Sequence, residues 1–344
     1  MKLKTVIIGL GNQNTKDHVP ALINSNRFKI IGGCDLNTKK RDEFSQQYNI
    51  KAFEDIDHLL IETKPDVAII AVPHNQYLSI IDKVAHKGIH IIKEKPFATN
   101  VEEAKKLYKC VKENNIFLGI TLQRRYNPIF STFHQLKQII GDIFSIEGQY
   151  VMNIKRLDEG WRSNKKESGG GALIDMGYHL VDLLVWYMGL PSSITAKLSV
   201  HNRLNQHYDV EDTVHMLFDY TKENDTHRTI GNFIISRVYC QKNEVIKFIG
   251  TRGSVIIQRG MIQRFDCNGN ELENLSRIGD WPSAFIEQYN SYANSIQEGK
   301  NGLDSCKEHF KHIAIIESAY RSNQKSQCYD PSIIYNELLK FIKE

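Results

Sequence analysis

Residues 5–14 read TVIIGLGNQN, a short β-branched run that ends in two glycines one residue apart. Its apolar residues do not alternate with polar ones, which is typical of a strand buried on both faces of a parallel sheet. Gly9 and Gly11 match the first two glycines of a dinucleotide-binding turn, where the first permits a tight bend and the second lets the backbone approach a pyrophosphate. The third glycine position holds Asn14, so the turn alone also fits an ordinary strand-to-helix connection.

The pattern of the first strand continues through the first third of the chain, where short apolar runs alternate with amphipathic stretches. Predicted strands cover residues 5–8, 29–34, 67–72, 90–92 and 117–121, and predicted helices cover residues 19–25, 39–48, 77–87 and 101–114. This alternation predicts an α/β domain over residues 1–123, a Rossmann doubly wound parallel sheet with helices on both faces.

After Gln123 the apolar residues alternate with polar ones, and most strands follow one another without a helix between them. Predicted strands cover residues 144–152, 194–201, 214–220, 229–239, 244–249 and 254–258, and predicted helices cover residues 127–140, 172–188, 284–297, 307–321 and 333–343. The segment from Gly250 to Gly253 indicates a hairpin turn. We expect residues 124–344 to form an α+β domain for substrate binding and oligomerisation, with a largely antiparallel open sheet.

Composition excludes several classes of protein. The length of 344 residues suits two domains of roughly 150 residues each. A formal charge of +4, spread along both halves, argues against a nucleic-acid partner. The six cysteines form no C-x-x-C pair, so no zinc site or disulfide framework is implied and a reducing, cytoplasmic location is expected. Mean hydropathy is −0.39 and no apolar run approaches the roughly 20 residues of a membrane span, so no membrane partner is expected.

Asp35 closes the second predicted strand, where a carboxylate accepts hydrogen bonds from the adenosine ribose of a dinucleotide. A carboxylate there repels a 2′-phosphate, which favours NAD. Lys39, Lys40 and Arg41 follow directly and keep NADP open as an alternative, although a solvated first helical turn also explains these three residues.

The tetrapeptide Lys93-Glu94-Lys95-Pro96 follows the strand at residues 90–92. Because ligands of a doubly wound sheet bind at the carboxyl ends of its strands, Lys95 is expected where a nicotinamide and a substrate would meet. The alternative for Lys95 is an ion-paired surface lysine.

The second candidate segment runs from Ser168 through three glycines to Asp182. If Ser168 caps a helix that begins in the glycine run, Asp175, His179 and Asp182 share one stripe of it. Gly177 inside that helix predicts a bulky neighbour, either a packed ring or a crossing helix. The alternatives are a buried Asp and His that satisfy each other, or a metal site, for which the sequence offers no further ligand.

These motifs, in this order and spacing, resemble the glucose-fructose oxidoreductase/inositol dehydrogenase (Gfo/Idh/MocA) family over nearly the whole chain. The resemblance implies that Lys95, Asp175 and His179 are catalytic, that the Lys95–Pro96 bond is cis, and that the second sheet joins subunits into a homodimer or homotetramer. It also implies sites for cofactor and substrate. The implied cofactor-binding residues are Gly9, Gly11, Asn12, Gln13, Asp35, Pro73, Asn75, Glu94 and Lys95. The implied substrate-binding residues are Arg124, Tyr126, Trp161, Arg162, Asp175 and His179.

Two departures from the family pattern bear on the cofactor site. One is Asn14 at the third glycine position, together with one extra residue before His18. The other is Tyr77, where the family often has a histidine four residues after the position of Pro73. We therefore expect altered local contacts at both places.

The candidate residues predict an oxidoreductase that transfers a hydride between NAD(P) and a secondary hydroxyl of a sugar, a sugar derivative or inositol. A hydroxyl that loses hydride must also lose a proton, and His179 suits the role of base because the pKa of histidine is near neutral. Lys95 would stabilise the developing alkoxide, and Asp175 would orient Lys95 or a substrate hydroxyl. Two alternatives stay open: a glycoside hydrolase that uses NAD in a transient redox step, and a dinucleotide-binding sensor without catalysis.

Overall fold

The computed structural model describes residues 1–221, 228–276 and 279–343 and divides them into two compact units. The first unit comprises Met1–Phe97, Glu102–Tyr126 and Trp281–Lys307. The second comprises the described residues of Ala98–Val101, Asn127–Asp280 and Glu308–Glu344. The first unit differs from the predicted residues 1–123 chiefly because it includes Trp281–Lys307, which the sequence assigned to the second domain.

The regular elements are numbered in chain order. The strands are β1 Leu3–Ile8, β2 Phe28–Cys34, β3 Ala52–Phe53, β4 Val67–Ile70, β5 His90–Lys93, β6 Leu118–Ile120, β7 Ile143–Asn153, β8 Ser193–Ser199, β9 Thr213–Asp219, β10 Ile230–Ser236, β11 Val238–Gly250, β12 Gly253–Gln258, β13 Met261–Phe265 and β14 Glu271–Ser276. The α-helices are α1 Val19–Ser25, α2 Thr38–Tyr48, α3 Ile56–Thr63, α4 Tyr77–Ala85, α5 Val101–Asn114, α6 Pro128–Ser131, α7 Phe133–Ile139, α8 Lys165–Ser168, α9 Tyr178–Met188, α10 Trp281–Gln297, α11 Leu303–Lys325 and α12 Pro331–Phe341.

The first unit contains a six-stranded sheet in the order β3-β2-β1-β4-β5-β6, and every neighbouring pair is parallel. This is the doubly wound order of a Rossmann fold, so the predicted fold class is confirmed. The two-residue strand β3 and the helix α3 that follows it were not predicted from the sequence. Both are short, and a two-residue strand carries no periodic signal.

The helix α10 belongs to the first unit because its apolar face completes the core of that unit. Phe285 and Tyr289 are buried together with Leu22 of α1 and Phe28 of β2. The rings of Tyr289 and Phe28 meet edge to face, with centroids 5.5 Å apart. Burial of large aromatic side chains of this kind stabilises a fold by about 1.5–3 kcal/mol per residue.

The second unit contains an eight-stranded sheet in the order β14-β13-β12-β11-β7-β10-β9-β8. All its pairs are antiparallel except β7 with β10, which confirms a largely antiparallel sheet. The hairpin between Gly250 and Gly253 is also confirmed, since these two residues pair at the end of β11 and β12. The strands β13 and β14 were not predicted, because their apolar residues do not recur at every second position.

Candidate functional site

In the first unit, the carboxyl ends of neighbouring parallel strands carry the candidate cofactor residues. Gly9 follows β1, Asp35 follows β2, Pro73 and Asn75 follow β4, and Lys95 follows β5. The backbone amide of Gly9 donates to the carbonyl of Cys34 at 2.8 Å, so the ends of β1 and β2 are joined side by side. The fold thus gathers most of the candidate cofactor residues at one edge of one sheet, where doubly wound folds bind their ligands.

The two glycines of the first turn differ in what surrounds them. Gly9 has a φ of 86°, and a Cβ added to it would lie 2.2 Å from the carbonyl oxygen of Ala71. Only glycine fits there without strain. A Cβ added at Gly11 would meet no atom of the described residues within 4 Å. The backbone of Gly11 therefore borders open space, as a close approach to pyrophosphate requires. Asn12 and Gln13, the next two candidates, are exposed on the same turn.

Asn14 replaces the third glycine with a side chain that folds back onto the turn. Its Nδ2 donates to the carbonyl oxygens of Ile8, at 3.3 Å, and of Gly9. Its Oδ1 is buried and has no hydrogen-bond partner among the described residues. Residues Asn14–His18 form a π-helical turn, which closes i→i+5 rather than i→i+4 bonds and so accommodates one additional residue. This turn absorbs the extra residue that the sequence shows before His18.

His18 and Glu94 form a buried hydrogen-bonded pair beside the cofactor edge. His18 Nε2 lies 2.9 Å from Glu94 Oε1, and the other ring nitrogen lies 2.9 Å from the hydroxyl of Tyr289 on α10. Thr121 donates to the same oxygen of Glu94 at 2.7 Å. Burial acts to raise the pKa of Glu94, but the hydrogen bond and charge of His18, with Lys95 and Thr121, hold it below its ordinary value. Glu94 is therefore an anion held in place by His18 and Thr121, next to Lys95 in the chain.

Asp35 has both carboxylate oxygens directed at the start of the turn and of α2. Its Oδ2 accepts from the amide of Leu10 at 2.8 Å, and its Oδ1 accepts from the amide of Asn37 at 2.9 Å. Arg41 donates instead to the backbone carbonyls of Asp35 and Leu36 and to the carboxylate of Glu54. The carboxylate and the open backbone at Gly11 fit NAD, and the ammonium of Lys40 lies 3.6 Å from Asp35 Oδ2.

Lys95 stands on a cis Lys95–Pro96 bond, as the resemblance implied. Beneath it, Lys93 is fully buried and donates to the carbonyls of Phe97, at 3.1 Å, and of Pro96. The Lys93 ammonium also lies 3.8 Å from the centre of the Tyr77 ring, which stands where the family often has histidine. Burial lowers the pKa of Lys93 to about 7. Lys93 and Tyr77 thus support the turn that carries Lys95.

Two predicted substrate residues of the first unit pack on α10. Arg124 is buried, with its guanidinium carbon 5.9 Å from the centre of the Trp281 ring. The hydroxyl of Tyr126 donates to Ser291 Oγ at 3.3 Å. These contacts place both side chains against α10, and their role toward a substrate stays a prediction.

In the second unit, the glycine run lies against the backbone near Glu211. A Cβ at Gly171 would lie 1.9 Å from the carbonyl oxygen of Glu211, and one at Gly170 would lie 2.0 Å from the hydroxyl of Tyr320. The predicted cap at Ser168 is wrong, because Ser168 ends the short helix α8. The helical segment begins instead at Leu173, whose amide is capped by the Glu211 carboxylate at 3.0 Å.

Asp175 lies in a second π-helical turn, Leu173–Gly177, and its carboxylate is held by two arginines. Arg237 Nη2 donates to Asp175 Oδ2 at 3.0 Å, and Arg162 Nε lies 3.3 Å from the same oxygen. The guanidinium of Arg162 in turn lies 4.2 Å from the centre of the Trp161 ring. The structure therefore joins three predicted substrate residues, Trp161, Arg162 and Asp175, into one group.

His179 and Asp182 extend the segment into α9. His179 is half-buried, with its ring 6.3 Å from the ring of Tyr150 on β7. Asp182 is buried and pairs with His312 on α11 at 2.9 Å. The predicted stripe is thus wrong for Asp182, because the π-helical turn changes the angular spacing and Asp182 binds a different element. The residue that presses on Gly177 is Ile235 of β10, with its Cδ1 2.8 Å from an added Cβ, and not a ring or a helix.

The most consequential residue that the sequence analysis missed is Arg237. Arg237 lies near the end of the predicted strand 229–239. A charged residue within an otherwise apolar strand indicates a buried partner, and this was the feature that could have identified it. Glu211 and Tyr150 were missed because their contacts come from segments far away in the sequence. No cluster of three metal-ligating side chains occurs in the described ranges, and none of the helices described is long and apolar enough to cross a membrane.

Comparison with known proteins agrees with this architecture. A model described as "Oxidoreductase family, NAD-binding Rossmann fold" matches residues 3–121, and one described as "GFO/IDH/MocA C-terminal domain" matches residues 137–256. Among the relatives, an uncharacterised oxidoreductase of Schizosaccharomyces pombe is 27% identical over 262 residues, which cover 73% of this chain and 70% of that protein. D-glucoside 3-dehydrogenase of Escherichia coli is 25% identical over 197 residues, which cover 55% of each chain.

Among solved structures, levoglucosan dehydrogenase in complex with NADH and levoglucosan has the same fold. Its TM-score is 0.82 at 22% identity, over 96% of this chain and 99% of that one. The prediction of an NAD-binding oxidoreductase is confirmed by the family model over residues 3–121, and the relative from Escherichia coli is a dehydrogenase by its name. With one family model on each part of the chain, this NAD-binding oxidoreductase belongs to the Gfo/Idh/MocA family.

Proposed function

We propose that this chain is an NAD-dependent dehydrogenase that oxidises a secondary hydroxyl of a sugar, a sugar derivative or inositol. The observation that carries the proposal is the anchored carboxylate of Asp175, followed one helical turn later by the half-buried imidazole of His179. A fixed carboxylate suits recognition of a hydroxyl, and an imidazole suits removal of its proton. The relative D-glucoside 3-dehydrogenase supports the substrate class by its name.

When bound, NAD supplies the hydride acceptor. The residues proposed to hold it are Gly9, Gly11, Asn12, Gln13, Asp35, Pro73, Asn75, Glu94 and Lys95. In our proposal, His179 takes the hydroxyl proton as general base and returns it in the reverse reaction. The Lys95 ammonium stabilises the negative charge that develops on the substrate oxygen, and its charge helps to lower the pKa of the neighbouring Glu94.

Recognition of the remainder of the substrate is assigned to the group around Asp175. The carboxylate accepts a hydrogen bond from a neighbouring hydroxyl of the substrate. Trp161 and Arg162 offer a flat ring and a planar guanidinium, which suit the apolar face and the hydroxyl edge of a cyclic polyol. Arg124 and Tyr126 are proposed to border the same substrate.

The test is a screen of the purified protein with NAD against cyclic polyols, aldoses and glycosides. We expect the absorbance of reduced nicotinamide to rise with at least one of them, with a keto product in equal amount. Tight NADH binding without turnover on the whole panel would reject the proposal in favour of a sensor.

Cofactor choice gives a separate prediction. In the Asp35→Asn variant, the ratio of kcat/KM for NAD to that for NADP falls by on the order of tenfold, because the carboxylate that repels a 2′-phosphate becomes neutral. The control is Asp42→Asn, an exposed residue of α2 with the same change in charge. An equal change in both variants would mean that net charge, and not Asp35, sets the preference.

We further propose that the chain forms a homodimer or homotetramer through the outer face of the eight-stranded sheet. Leu217 of β9 and Ile230 of β10 are 51% and 43% exposed on that sheet, with Ile234 half-buried on the same strand face as Ile230. The Leu217→Lys/Ile234→Lys variant is expected to be monomeric by light scattering. Ile61→Lys, on α3 of the first unit, serves as the control, and an oligomer that survives the double substitution contradicts this interface.

A cytoplasmic location is proposed as well. Cys34, Cys110 and Cys306 are buried thiols, and the other three cysteines are free and exposed, which suits a reducing compartment. Fractionation of cells that express the chain tests this, and recovery outside the cytoplasm would refute it.

A further inference from the structure

The guanidinium of Arg237 is a deeply buried charged group in contact with the proposed substrate residues Asp175 and Arg162. Its side chain is 3% exposed, and its Nε has no hydrogen-bond partner among the described residues. Burial of a charge is costly unless the charge is paired, so a buried arginine of this kind requires a specific partner. The partner is Asp175, at 3.0 Å.

Arg237 also holds the segments on either side of Asp175. Its Nη2 donates to the carbonyl of Gly171 at 3.1 Å, and its Nη1 donates to the carbonyl of Arg162 at 3.4 Å. One planar guanidinium therefore ties together the turn Trp161–Ser163, the end of the glycine run and the carboxylate in the π-helical turn. A lysine ammonium lacks the fork geometry to serve three such acceptors in one plane.

The backbone of Arg237 is fixed independently of its side chain. Its amide donates to the carbonyl of Asp212 at 2.8 Å, and its carbonyl accepts from the amide of Ile154 at 2.7 Å. The residue lies between β10 and β11, where the chain passes from one sheet neighbour to another. The guanidinium is thus presented from a hydrogen-bonded part of the sheet to the turn Trp161–Ser163 and to the π-helical segment Leu173–Gly177.

We propose that Arg237 is the positioning residue for the substrate side of the site: it orients Asp175 and places the Trp161–Arg162 turn, without touching the substrate. The inference rests on the proposed function, in which Asp175, Trp161 and Arg162 bind the substrate. The inference adds that the positions of these three residues depend on the buried guanidinium of Arg237, which the sheet presents to them. It also implies that Asp175 acts as a fixed anionic acceptor, because one of its oxygens is already occupied by two guanidinium groups.

The first test compares steady-state kinetics of Arg237→Met, Arg237→Lys and Arg264→Met, using the best substrate of the polyol screen. Arg264 is a matched control: it pairs with Glu273 at 2.8 Å on the distant strands β13 and β14, and its Nε is likewise buried without a partner in the described residues. We expect kcat/KM to fall about 100-fold in Arg237→Met and about tenfold in Arg237→Lys, with the NADH dissociation constant unchanged. Arg264→Met should keep wild-type kcat/KM within about twofold.

A double-mutant cycle of Arg237 with Asp175 distinguishes a positioning role of Arg237 from a general loss of structure. Because Arg237 acts in part through Asp175, the loss of kcat/KM in Asp175→Asn/Arg237→Met should be at least about tenfold smaller than the product of the losses in the two single variants. Losses that multiply in the double variant, or equal losses in Arg237→Met and Arg264→Met, would overturn the inference.

A second readout does not depend on activity. Amide hydrogen exchange in residues 160–163 and 171–175 should be at least about tenfold faster in Arg237→Met than in the wild type, and unchanged in Arg264→Met. If the polyol screen finds no substrate, the proposed function fails while this measurement still tests the arrangement. Unchanged exchange in Arg237→Met would overturn the inference even if the enzyme is active.

Discussion

Replacement of His179 by alanine is expected to lower kcat by about 10²–10⁴-fold, the usual contribution of a general base, and to leave NADH binding unchanged. Replacement of Lys95 by methionine is expected to lower kcat by about 10²–10³-fold, the usual contribution of a preorganised charge at a developing oxyanion. The loss in His179→Ala belongs to the chemical step, because His179 is not among the residues proposed to hold NAD. Lys95 is among them, so the loss in Lys95→Met is judged from kcat at saturating NAD. The measurement is steady-state turnover together with NADH titration by fluorescence.

The matched controls for these two variants are an exposed histidine and an exposed lysine. His134→Ala on α7 and Lys106→Met on α5 remove the same kinds of side chain from the surface. Both are expected to retain wild-type turnover. The proposed roles are rejected if His179→Ala or Lys95→Met keeps turnover within tenfold of the wild type while the controls are unaffected.

The second large expected effect is a difference between Gly9 and Gly11, the two glycines of the cofactor turn. Gly9→Ala is expected to lower the free energy of unfolding by about 2–5 kcal/mol, because its Cβ would lie 2.2 Å from the carbonyl oxygen of Ala71 and its φ is 86°. Gly11→Ala meets no described atom within 4 Å, so the fold without cofactor should change by less than about 1 kcal/mol. Its NADH affinity should fall by at least about tenfold, since the added methyl group occupies the space for pyrophosphate.

Denaturant unfolding without cofactor and NADH titration measure these two effects separately. We expect the two variants to differ in which quantity falls. The Gly9→Ala variant loses free energy of unfolding, and the Gly11→Ala variant loses NADH affinity while its stability is unchanged. Unchanged NADH affinity in Gly11→Ala would place the pyrophosphate elsewhere.

Much of the first unit could be predicted from the sequence because its signals are local. Buried parallel strands read as continuous apolar runs, and Gly9 and Asp35 stand at strand ends that the periodicity fixes. The membership of α10 could not be predicted, because the pairing of Tyr289 with His18 and Phe28 joins residues more than two hundred positions apart. The sequence shows only one extra residue before His18. It does not show that this residue is accommodated in a π-helical turn that begins at Asn14.

The candidate site of the second unit was less predictable for the same physical reason. The spacing of Asp175, His179 and Asp182 was interpreted with the period of an α-helix, and the π-helical turn removes Asp182 from that stripe. Arg237 and Glu211 reach the segment from other strands and loops. Long-range polar contacts of this kind leave no periodic trace in the sequence, even where they hold the carboxylate of Asp175 in place.

The most direct test of the central claim is a single turnover with a substrate that carries deuterium at the carbon of its secondary hydroxyl. The protein is mixed with NAD and the most active polyol of the screen, and the reduced nicotinamide is analysed by mass spectrometry. We expect one deuterium in each NADH, matched by one keto product. Release of a free sugar with no net NADH, or bound NAD that stays oxidised, would contradict it.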